Sequence, residues 1–322
     1  MNFYKFDNEN IRYTGRWGVN ESAMAATATG SYFEFAFSGD CCIMYFNLTY
    51  SARPYNHIYI SIDGGAKVEA ELNAFIKLRA GKGEHTVTVI NKSAMEMHHR
   101  FHLPLDGKVA FKGFEAENIL PLKADNRKTI EFIGDSITEG VLVYDDRLNM
   151  YPTGQENRVF NDDVTETYAW KTAENLNLRP LFGAYGAVGL THGGCGGYPD
   201  AITAYPYAFE GCKVNFAEPD YVLCNHGAND RGRENYFERY ELFLNTVREL
   251  RPNSTIFVLG AFCGFKADEL ADFVEDYNKK HGDNVTYISS KGWVPVEPTH
   301  PLCDAHTHIA NSLTEILKKL SV

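Results

Sequence analysis

The sequence predicts an all-β sandwich of jelly-roll type followed by an α/β domain whose parallel sheet is wrapped by helices. The length of 322 residues suits two domains better than one core. Apolar residues alternate with a period of two up to about residue 118, and short apolar runs alternate with helical patterns from about residue 128. The predicted domains cover residues 1–120 and 128–322, with "NILPLKADNRK" as the connection.

The alternating runs of the first domain are separated by glycine turns, which is typical of short antiparallel strands. In "YFEFAFSGD" the alternation places Phe33, Phe35 and Phe37 on one face. The run "HIYISIDGG" alternates in the same way and ends in an Asp-Gly-Gly turn. Because no convincing amphipathic helix interrupts this region, we predict a β-sandwich of jelly-roll topology.

The second domain is predicted to alternate strands and helices, which favours a parallel sheet with helical crossovers. The predicted elements are, in order, a strand at Ile130–Ile133, a helix around Thr165–Leu176, strands at Leu181–Tyr185 and Tyr221–Asn225, a helix at Tyr236–Leu250, the strand "TIFVLGAF", a helix around Asp268–Lys280, the strand "VTYIS" and a last helix after Pro301.

Composition limits the partners and the location. The net charge of −11 argues against nucleic acid or an anionic membrane as the main partner, and the acidity alone indicates little more. No window reaches the apolar length of a membrane span. The N-terminal "MNFYKFDNENIRY" lacks the features of a signal peptide, so we expect a cytoplasmic protein unless such a peptide was removed earlier. The oligomeric state is not predicted.

The cysteine pattern predicts free thiols. The seven cysteines are an odd number and most lie inside apolar runs, which is typical of reduced, buried thiols rather than a disulfide framework. Cys41 and Cys42 are adjacent on a strand-like run, where their side chains point to opposite faces. Core packing is therefore favoured over a metal or redox pair.

Reactive residue types follow the apolar runs of the second domain. Ser136 comes after the first strand, Gly189 after the second, Asn229 after "YVLC" and His300 after the last strand. In open α/β sheets the chemistry collects at the carboxyl ends of the strands. We therefore expect these four segments to meet at one edge of the sheet.

These residue types suit nucleophilic catalysis. A serine such as Ser136 needs a neighbouring base, and His300 can take that part. Glu297, three residues before the histidine, is the candidate acid that would fix the ring tautomer. The N–H groups of Ser136 and Gly189 and the side-chain amide of Asn229 are candidate donors for an oxyanion. Gly186 is the alternative to Gly189.

The motifs resemble the four blocks of the SGNH (GDSL) hydrolases: "GDSITEG", a glycine after the next strand, "GAND" and a terminal acid-x-x-His-Pro. The resemblance implies a serine esterase on a flavodoxin-like three-layer α/β/α fold. It implies Ser136 as nucleophile, Gly189 and Asn229 as partners in the oxyanion hole, and His300 as base. The family usually has Asp where Glu297 stands, and some members dispense with the acid.

The combination with a preceding β-sandwich ending in "VAFKGFE" is similar to carbohydrate esterase family 2, whose members remove acetyl groups from sugars. The resemblance implies a carbohydrate acetyl esterase that acts on a small-molecule or oligosaccharide substrate through an acyl-enzyme. It also implies that no metal or organic cofactor is needed. The alternatives are a lipid esterase or thioesterase of the GDSL type, and a carbohydrate-binding protein without activity. Asp135, beside the nucleophile, is predicted to form the turn rather than to react.

Four residues are candidate substrate contacts. Tyr144 and Tyr151 lie in the long irregular segment Val141–Asp163, and aromatic faces stack on sugar rings. His192 and Tyr198 lie in the glycine-rich "HGGCGGYPD", which has no following Lys-Ser/Thr and is not expected to bind phosphate. A surface insertion and an ordinary loop are the alternatives.

Two histidine-rich stretches are not expected to bind metal. In "CDAHTH" His306 and His308 are two residues apart and fall on different faces of the predicted last helix, so Asp304, His306 and His308 do not surround one ligand point. In "MHHRFH" a solvated strand or loop is favoured over a ligand cluster.

Overall fold

The computed structural model describes residues 1–144 and 158–322. Ten antiparallel strands between Asn2 and Leu120 form one sheet, and five parallel strands from Thr129 onward form a second. The predicted order of a β-rich part and an α/β part is confirmed. The jelly-roll topology and the domain boundaries at residues 120 and 128 remain predictions.

The strands are β1 (Asn2–Lys5), β2 (Ile11–Thr14), β3 (Trp17–Asn20), β4 (Ala23–Ala26), β5 (Tyr32–Phe46), β6 (His57–Ile62), β7 (Val68–Glu71), β8 (Phe75–Ser93), β9 (Val109–Ala116), β10 (Asn118–Leu120), β11 (Thr129–Gly134), β12 (Arg179–Ala184), β13 (Tyr207–Phe209), β14 (Cys212–Lys213), β15 (Tyr221–Asn225), β16 (Thr255–Leu259) and β17 (Thr286–Ile288). The helices are α1 (Ser136–Glu139), α2 (Arg158–Asn161), α3 (Tyr168–Asn175), α4 (Ala201–Ala204), α5 (Tyr236–Leu250), α6 (Glu269–His281) and α7 (Cys303–Lys319), with single 3-10 turns at Val164–Glu166 and Cys195–Gly197.

Aromatic residues of β5 form the core of the β-rich part. Phe33, Phe35 and Phe37 are fully buried, as their alternation predicts. Phe33 stacks on Phe111 of β9 with ring centroids 4.2 Å apart, and Phe35 stacks on Phe114 at 3.9 Å. Each buried ring stabilises the fold by about 1.5–3 kcal/mol relative to an exposed one.

The parallel sheet has the strand order β12-β11-β15-β16-β17, the doubly wound order of flavodoxin-like folds. Side chains alternate between its two faces: Phe132 packs in the cluster that includes α3 and α7, and Ile133 packs in the cluster that includes α5 and α6. The sheet therefore lies between two helical layers. The inner strand β11, second in this order, ends at Gly134, in register with Ala184 of β12 and Asn225 of β15.

The strongly periodic elements agree with the prediction, and several short elements are missing from it. α5 and β15 coincide with the predicted ranges. The predicted helix around Thr165–Leu176 is divided into a 3-10 turn and α3, because the Thr167 hydroxyl accepts a hydrogen bond from the Trp170 N–H and so starts a new helix. The short elements α4, β13 and β14 were not predicted.

A buried arginine joins the β-rich part to the parallel sheet. Arg16 is 2 % exposed, and its Nη2 lies 2.8 Å from Oε1 of Glu131 on β11. Arg251 approaches the other carboxylate oxygen at 3.1 Å, so two guanidinium groups neutralise one fully buried carboxylate. A buried charge needs such partners, because taking it out of water is costly.

The free-thiol prediction is confirmed, since all seven cysteines are free. On β5, Cys42 is buried and Cys41 is half-buried, as expected for adjacent residues that face opposite sides of a strand. Among the helices of the described ranges, none is long and apolar enough to cross a membrane.

Candidate active site

Two glycines shape the turn that carries Ser136. A side chain on Gly134, the last residue of β11, would collide with Thr138. Gly140 follows α1 with φ +94°, and a Cβ there would lie 2.6 Å from the carbonyl group of Asp163. The chain can therefore leave the strand sharply and place Ser136 at the first position of the four-residue helix α1.

The structure brings Ser136 and His300 together, as the strand-end argument predicts. The His300 Nε2 lies 2.9 Å from the Ser136 Oγ, although the two residues are far apart in the chain. The segment before α7 is anchored by the Cys303 N–H, which donates to the Val143 carbonyl at 2.8 Å. Burial lowers the pKa of His300, and the nearby charge of Arg158 lowers it further, so the neutral ring that accepts a proton is favoured near pH 7.

Glu297 does not contact His300. It is exposed, and in the described ranges no carboxylate oxygen lies within 4.0 Å of a His300 ring nitrogen. The geometry thus gives the predicted acid role no support, because an acid that orients a catalytic histidine must hydrogen-bond to its second nitrogen. Among the residues that the structure describes, the serine and the histidine come together without an acid.

Asn229 lies beside the nucleophile turn. Its Nδ2 donates to Asp135 Oδ2 and to the Val188 carbonyl, both at 3.2 Å. Both distances are at the long end of the range for N–H···O bonds. The two amide hydrogens therefore have acceptors, and an oxyanion would have to replace one of them.

Asp135 forms the turn, as predicted, and also connects it to Asn229. Its Oδ1 accepts from the Ile137 N–H at 3.0 Å, which caps α1. Burial raises the pKa of Asp135 to about 7, and the neighbouring carboxylate of Asp230 adds to this effect. Asp230 in turn accepts from the Thr191 N–H at 2.9 Å and fixes the loop after β12.

The predicted donor Gly189 is already occupied. Its N–H donates to the His192 carbonyl at 3.1 Å, which conflicts with a role in an oxyanion hole. The alternative Gly186 directs its amide at the Glu139 carboxylate. Among the described residues the Ser136 N–H has no acceptor, so it is the one predicted backbone donor that is free for a ligand.

Two candidate substrate contacts are used by the protein itself. The ring nitrogens of His192 lie 2.9 Å from the Asn229 carbonyl and 2.6 Å from the Gly193 carbonyl, so this ring supports the Asn229 loop. Tyr198 is only 4 % exposed and stacks on Tyr185 with ring centroids 3.8 Å apart. Tyr198 is therefore a core residue, and the prediction that it contacts substrate is wrong.

Tyr144 and Tyr151 are the other two candidate substrate contacts. Tyr144 is half-buried, and its hydroxyl donates to Asp163 Oδ2 at 2.9 Å. Tyr151 lies outside the described residues. A largely apolar cavity of about 550 Å³ adjoins Tyr144 and is also lined by Val143, Pro298 and Leu302. Neither Ser136 nor His300 is among its lining residues.

The polar residues of "CDAHTH" differ in their exposure to solvent. His306 is buried, its Nδ1 accepts from the Tyr168 N–H at 3.1 Å, and burial lowers its pKa to about 3. Asp304 and His308 are exposed. Within the described ranges no group of three or more His, Cys, Asp or Glu side chains could hold a metal ion.

The segment between β8 and β9 contributes residues that sequence reasoning missed. Glu96 contacts Arg158 and accepts from the Cys195 thiol at 3.1 Å, and Arg100 is 2 % exposed. In "MHHRFH" the prediction of a solvated segment holds for His99, which is exposed, but not for His98, which is 9 % exposed. An arginine among histidines gives no sign in the sequence that Arg100 is buried, because its partner is brought to it only by the tertiary structure.

Comparisons with known proteins identify the same fold. No family model and no curated protein matches the sequence. A family two carbohydrate esterase from Cellvibrio japonicus is similar at 21 % identity and a TM-score of 0.81, over 99 % of this chain and 97 % of that one. A family two carbohydrate esterase from Clostridium thermocellum, in complex with cellohexaose, is similar at 25 % identity and a TM-score of 0.74, over 97 % and 99 % of the two chains.

An acetyl xylan esterase from the rumen bacterium Butyrivibrio proteoclasticus is similar at 17 % identity and a TM-score of 0.76, over the full length of both chains. These neighbours are carbohydrate esterases, a class of carboxylic ester hydrolases. The predicted resemblance to carbohydrate esterase family 2 is thus confirmed, and it extends over both the β-rich and the α/β parts.

Proposed function

We propose that this chain is a serine esterase that removes acetyl groups from carbohydrates through an acyl-enzyme intermediate. The observation that carries the proposal is the 2.9 Å distance between His300 Nε2 and Ser136 Oγ. A serine is a weak nucleophile until a base within hydrogen-bond reach accepts its proton. The full-length similarity to carbohydrate esterases supports the choice of reaction, and cellohexaose bound to one of them supports an oligosaccharide substrate.

In the first half of the proposed reaction, Ser136 Oγ attacks the ester carbonyl carbon and His300 Nε2 takes the hydroxyl proton. The Ser136 N–H and the Asn229 amide then stabilise the negative oxygen of the tetrahedral intermediate. The protonated His300 donates to the departing sugar oxygen, which leaves an acetyl group on Ser136. Each oxyanion donor is worth about 3 kcal/mol in the activation barrier.

In the second half, water gives a proton to His300 and attacks the acetyl carbonyl. Collapse of this intermediate returns the proton to Ser136 Oγ and releases acetate. His300 works here without a carboxylate partner among the described residues, so its orientation depends on the packing of its own segment. The hydrogen bond from the Cys303 N–H to the Val143 carbonyl helps to hold that segment in place.

Acetate release from acetylated mono- and oligosaccharides tests the proposal. We expect turnover in the wild type and its loss in Ser136→Ala, because the alanine has no nucleophile. Ser289→Ala is the matched control, since this serine is exposed and lies outside the site. Glycan binding without acetate release in the wild type would instead identify a carbohydrate-binding protein without activity.

Comparison of acetyl with octanoyl esters tests the lipid esterase or thioesterase alternative. The apolar cavity beside Pro298 is large enough for an acyl chain, but its lining does not include Ser136 or His300. We therefore expect acetyl esters to be the better substrates. Faster turnover of octanoyl esters would reject the deacetylase and favour the alternative.

A further inference from the structure

The helix that carries the nucleophile is held by an arginine from the β-rich part. Glu139, the last residue of α1, forms a two-pronged ion pair with Arg100, which lies between β8 and β9. Arg100 Nη1 contacts Oε1, and Nη2 donates to Oε2 at 3.2 Å. The two side chains are 3 % and 2 % exposed, so water does not compete for this contact.

Further contacts from the same part of the chain meet the C-terminal end of α1. The Thr29 hydroxyl donates to the Glu139 carbonyl at 3.1 Å. The Tyr59 hydroxyl donates to Asp163 Oδ2 at 2.6 Å, and the Asp163 N–H donates to the Gly140 carbonyl at 2.9 Å. The C-terminal end of α1 is thus fixed to residues that precede β9.

α1 needs such support because it is a single turn. A four-residue helix is not stable on its own, since nucleation costs more than one turn of hydrogen bonds returns. The hydrogen bond between Ser136 and His300 requires the position of Ser136 to be held closely. A misplacement of about 1 Å can lower a rate about 100-fold.

We propose that Arg100 is a positioning residue for the esterase proposed above, and that it fixes Ser136 opposite His300 through Glu139. The β-rich part is then a working component of the catalytic site and not only an accessory domain. The inference rests on the proposed function, because it assumes Ser136 as the nucleophile.

A second buried arginine offers a matched control. Arg16 also comes from the β-rich part and also forms a buried ion pair with the α/β part, but its partner Glu131 lies inside β11 and not in α1. Glu131 keeps Arg251 when Arg16 is removed. If Arg100 only joined the two parts, its loss and the loss of Arg16 would affect the enzyme alike.

The experiment compares the double variant Arg100→Met/Glu139→Leu with Arg16→Met. The double variant removes the clamp, that is, the Arg100–Glu139 ion pair, without leaving an unpaired buried charge. Proteins often tolerate the replacement of a buried ion pair by apolar side chains. The measurements are kcat and KM on p-nitrophenyl acetate, the rate of Ser136 labelling by a fluorophosphonate, and the melting temperature. Assays are run below the melting temperature of every variant.

We expect the double variant to lose kcat by about 10- to 100-fold with little change in KM, because substrate contacts remain while the nucleophile is misplaced. Labelling of Ser136 should slow in parallel. Arg100→Lys should retain more kcat than the double variant, since lysine keeps the charge but makes only one of the two contacts with the carboxylate. Arg16→Met should keep the wild-type kcat even if its melting temperature falls.

An unchanged kcat in the folded double variant, or an equal loss in Arg16→Met, would overturn the inference and leave the esterase proposal intact. If the double variant does not fold, Glu139→Asp decides, because it keeps both charges and shortens the clamp: a fall in kcat supports the inference and a wild-type kcat overturns it. A wild type that neither turns over ester nor labels at Ser136 would reject the proposed function itself, and the inference with it.

Discussion

Asp135 accepts a hydrogen bond from Asn229 through Oδ2 and Nδ2, which lie 3.2 Å apart. This contact joins the turn after β11 directly to the loop after β15. The amide that we propose as an oxyanion donor is therefore held by the residue next to the nucleophile. Since such donors act by being fixed before the reaction, the pair prepares the site for the developing negative charge.

Replacement of Asn229 by Ala should lower kcat by about 100- to 1,000-fold, because one oxyanion donor is lost in the transition state. KM on p-nitrophenyl acetate should change little, since the ground-state carbonyl needs this donor less. Asn284→Ala is the control, because that asparagine is exposed and outside the site. A loss of less than tenfold would remove Asn229 from the proposed oxyanion hole.

The convergence of Ser136 and His300 could be predicted because it follows from a rule about parallel sheets: polar residues after successive strands meet at one edge. The limits of α5 could be predicted because its apolar residues repeat with the helical period over several turns. In both cases local sequence and tertiary structure favour the same result.

The features that could not be predicted depend on tertiary contacts or on the detailed conformation of a loop. Tyr198 lies in a glycine-rich loop, and that sequence does not distinguish a ring in a cleft from one stacked on Tyr185. Gly189 was chosen by spacing, but its N–H is taken by a carbonyl in its own loop. Arg100 gave no signal, because its partner Glu139 follows β11 and its own segment precedes β9.

The pH dependence of kcat/KM should reflect His300. Its neutral form is the base, so activity should rise with pH through the pKa of this ring. Burial lowers that pKa, which places the acid limb below the ordinary value of about 6.5. Arg158 also lowers the pKa, whereas Glu96 raises it, so Arg158→Gln should move the acid limb to higher pH.

The measurement is kcat/KM against pH for the wild type and Arg158→Gln. Arg233→Gln serves as the control, since this arginine is exposed and lies on the loop before α5. The pKa of Asp135 is raised to about 7, so its titration would give the profile a second limb. A limb that comes from Asp135 should be missing from the profile of Asp135→Asn. An acid limb that stays in place in Arg158→Gln would contradict the electrostatic argument.

Replacement of Glu297 by Gln should cost less than about tenfold in kcat. In a Ser-His-Asp triad, loss of the acid lowers kcat by about 10,000-fold because the histidine adopts the wrong tautomer. Glu297 is exposed and makes no hydrogen bond to His300, so its replacement removes no contact to the ring. His300→Ala, measured on the same ester, supplies the scale of a full loss. A Glu297→Gln variant as inactive as His300→Ala would show that the carboxylate approaches the ring during turnover.

Replacement of Gly140 by Ala should lower both stability and kcat, because this glycine ends α1 in the left-handed region and faces the Asp163 backbone. Its φ is +94°, and a Cβ would lie 2.6 Å from the Asp163 carbonyl carbon and oxygen. Gly264→Ala is the matched control: its φ is +74°, but a Cβ there meets nothing within 4 Å. The control should therefore bear only the left-handed penalty of about 1–2 kcal/mol, measured as the free energy of unfolding in urea, and should keep kcat.

Gly140→Ala carries the same penalty plus a collision between two main-chain segments, which cannot be relieved by rotating a side chain. The collision must displace either Asp163 or the end of α1, and displacement of α1 moves Ser136 away from His300. Equal losses of stability in the two variants, with kcat unchanged in both, would mean that the backbone around Ser136 yields without affecting the nucleophile.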